Sequence, residues 1–195
     1  MDFTQETDAG LSPEAWMTDD QWVKSTPLFE SPEVSMRLFV IPPFQHIFLH
    51  DHPQMNVYSR LYRGDLHLFS LSWTDAQGKL LTKSPDAEDV DIYASCDQKC
   101  WFSGSQSTFS LSAIRGNLHE LHAGEQTCVL LDVFVPPYST GRVRRFFTPE
   151  KLTKLPVTRI SSSTPSFGPL SVDPHHLAAV EVGCVVKLKM VSAET

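Results

Sequence analysis

Apolar residues in this chain recur mostly at every second position. From Leu66 to Trp73 the alternation is strong, with Leu66, Leu68, Ser70 and Ser72 set against His67, Phe69, Leu71 and Trp73. Side chains two apart on an extended backbone share a face, so this spacing predicts a β-strand. Comparable strands are predicted at Val34 to Ile41, Phe44 to His52, Asn56 to Tyr62, Phe109 to Ile114, Leu118 to His122, Thr127 to Val135 and Val180 to Met190. Pro42-Pro43, Pro53 and Pro136-Pro137 interrupt them, because proline cannot donate to a ladder. Arg63-Gly64-Asp65 and Asp75-Ala76-Gln77-Gly78 read as turns.

Helix signals are confined to two places. Ser12-Pro13-Glu14 offers an N-cap, a proline at the first helical position and an acid, predicting a helix to about Lys24. Thr148-Pro149-Glu150 predicts a second, short one. Residues 82–106 read as polar and irregular, with a short strand at Val90 to Ala94. Residues 161–174, rich in Ser and Pro, read as a loop, and residues 1–11 as disordered. The rest, 12–195, is expected to form one all-β domain, a sandwich or barrel, with a short N-terminal helix.

Composition narrows the function classes. A chain of 195 residues, 41% of them hydrophobic, can bury one sizeable core. No run of apolar residues is long enough for a membrane span. The acidic start, Met1 to Gly10, lacks the features of a secretory or mitochondrial leader, so the expected location is the cytosol, or cytosol and nucleus. With 16 basic against 23 acidic side chains, the net charge of −7 argues against a nucleic-acid partner and weakly for cationic ones. The cysteines, Cys96, Cys100, Cys128 and Cys184, are expected as free thiols. Cys96 and Cys100 have a spacing that could serve zinc, but no second pair accompanies them.

Candidate chemistry lies in the histidines. His50 and His52 flank Asp51 on one strand, so their imidazoles share a face. A second segment, Arg115-Gly116-Asn117-Leu118-His119, lies beside another strand. Together they resemble the two halves of a cupin metal site, which would take its third ligand from His119, with His122 as the competing residue. Most cupins carry a Glu shortly after the His-x-His pair. Here the positions after His52 are Pro53, Gln54, Met55, Asn56, Val57 and Tyr58. Three neutral ligands leave a divalent metal its full charge and three open positions, enough for a thiolate, an amine and dioxygen. Imidazole suits iron, zinc, copper and nickel alike.

Several blocks in order extend the resemblance. They are Pro42-Pro43, His50-Asp51-His52-Pro53-Gln54-Met55, Ser59-Arg60-Leu61-Tyr62-Arg63-Gly64, Gly116-Asn117-Leu118-His119, Leu131-Asp132-Val133 and Pro136-Pro137-Tyr138-Ser139. The chain thereby resembles the cysteamine dioxygenase and plant cysteine oxidase family of thiol dioxygenases, over roughly residues 32 to 150. The resemblance implies a cupin double-stranded β-helix, a jelly-roll barrel, holding non-haem Fe(II) through His50, His52 and His119. It implies addition of both atoms of O2 to a thiol, giving a sulfinic acid. The thiol would be cysteamine or the N-terminal cysteine of a peptide or protein, and in the second case the enzyme would sense oxygen. The resemblance also favours a monomer and places Asp132 and Tyr138 near the active site. It fades after about Pro149.

Each of these residues has a second reading. Asp132 stands in an apolar run and could hold the substrate amine, orient a ligand histidine, or pair with an arginine such as Arg60. Tyr138 could donate to the substrate or to oxygen, or could pack at the barrel mouth. His67 reads as a core histidine, His46, His175 and His176 as solvated. A free-cysteine enzyme would need a cation for the carboxylate, for which Arg60 and Arg115 are the candidates. Rival functions are another metal-dependent cupin enzyme and a non-catalytic cupin that binds a small molecule.

Overall fold

The strand alternation seen in the sequence builds two antiparallel sheets. The structure is a computed structural model that describes residues 22–86, 91–104, 107–139, 141–150, 177 and 180–191. Its strands are β1 Lys24–Glu30, β2 Ser35–Ile41, β3 His46–Asp51, β4 Asn56–Arg63, β5 Asp65–Thr74, β6 Ile92–Ser103, β7 Ser107–Leu111, β8 Leu118–Ala123, β9 Cys128–Val135, β10 Phe146–Pro149 and β11 Val185–Val191. One sheet has the order β1-β2-β9-β4-β7, and the other, β10-β11-β6-β5-β8-β3, closes as a barrel. The closing contact pairs Phe146 with His50. Among the described residues there is no α-helix.

The second sheet buries both of its faces. Leu66 and Leu68 of β5 and Leu121 of β8 meet Phe39, Val57, Leu61, Leu130 and Phe134 from the first sheet in the core between the two. Phe69, Leu71 and Trp73 face the other way, with Leu49, Leu118, Phe147, Leu188, Leu177 and Val180. Burial on both sides is why β5 is closed to solvent from Leu68 to Thr74. Each fully buried large aliphatic side chain in these cores contributes about 1.5–3 kcal/mol. Gly64 makes the turn between β4 and β5 at φ 86°, and a Cβ there would lie 2.6 Å from the Thr127 carbonyl oxygen. Only glycine satisfies both conditions.

Four sequence expectations need correction or fall outside these residues. Lys24 opens β1 and does not end a helix; the rest of that helix, the disordered start and the 161–174 loop lie outside the described residues. Thr148 and Pro149 do not open a helix but pair with Lys189 and Leu188 of β11. The region read as irregular contains β6, one of the longest strands. Its periodicity is broken by a bulge: Ser70 faces Gln98 while Leu71 faces Cys96, leaving Asp97 as the extra residue. The bulge also sends Cys96 into one core and Cys100 to the other, so the two thiols point apart and cannot share a zinc ion.

Arg145 ties β3 to the segment before β10. Its backbone N–H and Nε each donate to Asp51 at 2.9 Å, Nη2 donates to the same carboxylate, and Nη1 reaches the Pro85 carbonyl oxygen at 2.6 Å. Asp51 is fully buried, which pushes its carboxyl up, while the Arg145 contacts pull it back down. Replacing Arg145 by alanine strands this carboxylate in the interior. We expect a loss of about 3 kcal/mol in urea unfolding; a loss under 1 kcal/mol would show that the pair does not organise β3.

Candidate metal centre

A bulge in β3 decides which way the first histidine points. Ile47 pairs with Leu121 and His50 with His119, so three steps on β3 match two on β8. Without the extra residue His50 would face away from the interior. With it, His50, His52 and His119 all point between the sheets and are buried. The His119 Nε2 atom lies 3.1 Å from both His50 Nε2 and His52 Nε2. The ligand atoms of the three all fall within 4.8 Å of one another. Phe134 stacks on His52 at 5.8 Å between ring centroids.

Their outer nitrogens set the tautomers. His50 Nδ1 is 2.7 Å from the Phe48 carbonyl oxygen, which can only accept, so Nδ1 carries the proton. The Tyr138 hydroxyl donates to the Asp51 carbonyl oxygen at 2.8 Å and therefore accepts from His52 Nδ1 at 2.7 Å. Both Nε2 atoms are thus left with lone pairs aimed at the same point as His119 Nε2. A cation among them would draw a lone pair from all three, His119 Nε2 included. His119 Nδ1 is buried with no hydrogen-bond partner among the described residues. This donor set fits a metal ion, and no carboxylate among the described residues belongs to it.

Electrostatics keep the set ready. Burial lowers the His50 pKa to about 4, and burial first, then the neighbouring imidazoles, holds His52 and His119 well below the ordinary histidine value. Arg144 adds to the same direction at all of them. The loop that delivers His119 is pinned from β5 and β6. The Gly116 N–H lies 2.9 Å from Ser72 Oγ and 3.1 Å from Asp97 Oδ2, and Ser72 donates to Asp97. Asn117 Nδ2 donates to the His52 carbonyl oxygen at 2.6 Å, and its own carbonyl oxygen accepts from the His52 N–H at 3.1 Å, joining both motifs.

The other residues singled out from the sequence fall as follows. His122 lies outside the set, held by Glu120 and stacked on a half-buried His46 at 5.1 Å. His67 is half-buried against Trp101, and burial lowers its pKa to about 4. His175 and His176 lie outside the described residues. Asp132 is buried on the face of β9 that also carries Phe134, and accepts from Ser59 Oγ at 2.6 Å. It does not pair with Arg60: Ser59 is opposite Asp132 in register, so Arg60 points to the outer face, where it lies over Tyr62. Burial raises the Asp132 pKa to about 7, with the Ser59 bond opposing. The Tyr138 hydroxyl sits behind His52, on the Nδ1 side. Arg144 and Asp97 were missed by sequence reasoning, and Asn117, though inside the block that carries His119, was given no role there.

A three-histidine centre set between the sheets of a β-sandwich with a closed barrel makes this a cupin. The sequence profile of the PCO_ADO family matches residues 2–186, and the chain belongs to that family. A protein of Dictyostelium discoideum described as a probable 2-aminoethanethiol dioxygenase is 29% identical over 124 residues, covering 60% of this chain and 51% of its own length. Plant cysteine oxidase 2 of Arabidopsis thaliana is 29% identical over 153 residues, covering 71% of this chain and 50% of its own. The chain thus spans about half the length of these relatives. Among solved structures, a cupin superfamily protein from Desulfitobacterium hafniense is 14% identical with a TM-score of 0.42, covering 62% of this chain and 83% of that one.

Two measurements check the centre. Three ordinary imidazoles would lose about a thousandfold in metal affinity between about pH 7.5 and about pH 5.5. With their pKa values lowered by burial, competition titration should show a loss of less than about tenfold. A full thousandfold loss would mean that the imidazoles titrate as if exposed. Tyr138→Phe removes the acceptor of the His52 Nδ1 proton and should weaken the metal about tenfold without abolishing binding.

Proposed function

We propose that this chain is a non-haem Fe(II) thiol dioxygenase acting on the N-terminal cysteine of a peptide or protein, or on cysteamine. The observation that carries the reading is a buried set of three neutral imidazoles, with no carboxylate of the described residues among them. Family membership and the dioxygenase and oxidase names of the relatives support it. The reaction balances without a further reductant: a thiol and O2 become a sulfinic acid, sulfur giving up four electrons and dioxygen taking four.

His50, His52 and His119 would hold the iron. When bound, it supplies positive charge that lowers the thiol pKa and a redox centre for dioxygen. Tyr138 and the Phe48 carbonyl oxygen hold the ligand rings in orientation. Phe134, Leu130 and Met55 keep the interior dry. Asp132 is the carboxylate on this face able to receive the substrate ammonium. A cation brought to it would draw its pKa below 7 and repay the burial of its charge.

Anaerobic loading with Fe(II), followed by air and either cysteamine or a peptide beginning with cysteine, tests this by mass spectrometry. Two oxygen atoms should be gained on at least one of them, and His119→Ala should lose both iron and turnover. Bound iron without oxygen gain on either thiol would instead leave a binding cupin or another cupin enzyme. Because Asp132 must be ionised, its raised pKa predicts that kcat/KM climbs with pH through about 7. Asp132→Asn should remove that limb and lower kcat/KM by about tenfold or more.

A further inference from the structure

The arginine next to the one that holds Asp51 has no such task. Arg145 is spent on Asp51, and Arg142 donates to the Pro137 carbonyl oxygen at 3.1 Å. Arg144 is exposed, and no carboxylate among the described residues pairs with it. Its guanidinium carbon lies 5.9 Å from the Tyr138 ring and 5.2 Å from the Phe146 ring. Each of these rings adjoins one ligand. Tyr138 holds His52 through its hydroxyl, and Phe146 is opposite His50 in register with the ring centroids 6.0 Å apart. Arg144 therefore bridges the two sides of the site, and its charge is felt at His50, His52, His119 and Tyr138.

A cation in this place disfavours protonated imidazole and favours an anion. The two arginines that the sequence offered for a carboxylate do not serve: Arg60 is on the outer face of the first sheet, and Arg115, on the turn before β8, lies over neither of the rings that adjoin the ligands. We propose that Arg144 is the specificity-determining cation of this site and receives a carboxylate carried by the thiol substrate. The inference rests on the dioxygenase reading and deepens it. The shared chemistry is a carboxylate near the thiol, and it has two sources: the α-carboxylate of free cysteine, or an acidic residue following an N-terminal cysteine. Cysteamine has neither.

The test is anaerobic calorimetry on the Fe(II)-loaded protein, which reads binding without turnover. L-cysteine is compared with L-cysteinamide, and the amidated peptide Cys-Asp-Gly with Cys-Asn-Gly. In at least one pair the acid should bind about tenfold tighter than its amide, the scale of one charge-assisted contact at an open site. Arg144→Glu should abolish or invert that preference, and Arg144→Lys should keep part of it. The pair that responds identifies the source of the carboxylate. Acid-to-amide ratios untouched by Arg144→Glu in both pairs would overturn the inference while the thiol reading stands. No binding by any of the four thiols would overturn that reading and the inference with it. Arg144 is exposed, and melting curves should superimpose for the three forms, so a shifted ratio reports recognition and not folding.

Discussion

Three imidazole lone pairs must meet at one point inside a dry sandwich, and much of the surrounding structure serves that requirement. That requires each ring to turn its Nε2 inward in the right tautomer, and the interior offers little solvent to help. The protein therefore fixes each ring from behind. The Phe48 carbonyl oxygen takes the His50 proton, and Tyr138 takes the His52 proton because its own is given to Asp51. The two motifs are joined through Asn117 and the backbone of His52. A rigid, neutral donor set of this kind would leave a bound metal its full charge.

Two irregularities in otherwise regular ladders place these groups. The bulge in β3 turns His50 inward, and the bulge in β6 brings Asp97 to the loop that carries His119. Bulges trade a local loss of pairing for a re-aimed side chain. That trade is affordable here because the flanking residues are anchored in two cores, one on either face of the second sheet. Asp51, between the ligand histidines in sequence, points away from them and is held by Arg145 from the opposite core. The strand that presents the ligands is thus clamped from both sides.

Charge is distributed around the centre with opposite signs in different settings. Asp132 is buried, held by Ser59, and its pKa is raised to about 7 by burial. Arg144 is exposed and permanently charged, over the Tyr138 and Phe146 rings. On the reading proposed above, a zwitterionic amino thiol would meet a latent anion and a standing cation, which together would orient it.

The sequence by itself determined most of the strands, the turns and the placement of His50 and His52 on one face. Alternation at Leu66 to Trp73, prolines at strand ends and the spacing of His50 and His52 are local properties, and β-strand geometry converts them directly into faces. Only the tertiary structure decided the rest. Strand β6 was hidden because one extra residue, Asp97, breaks the period on which such reading depends. Strand β10 was hidden because Thr148-Pro149 carries a helix-start signal that pairing with β11 overrides. The partners of Asp132 and Tyr138 follow from registers between strands distant in sequence: Ser59 lies opposite Asp132, whereas Arg60, one position on, faces out. Arg144 carries no motif at all. Its importance arises from a ladder contact that seats Phe146 against His50, and no pattern within the chain's own order specifies which distant strand will close a barrel.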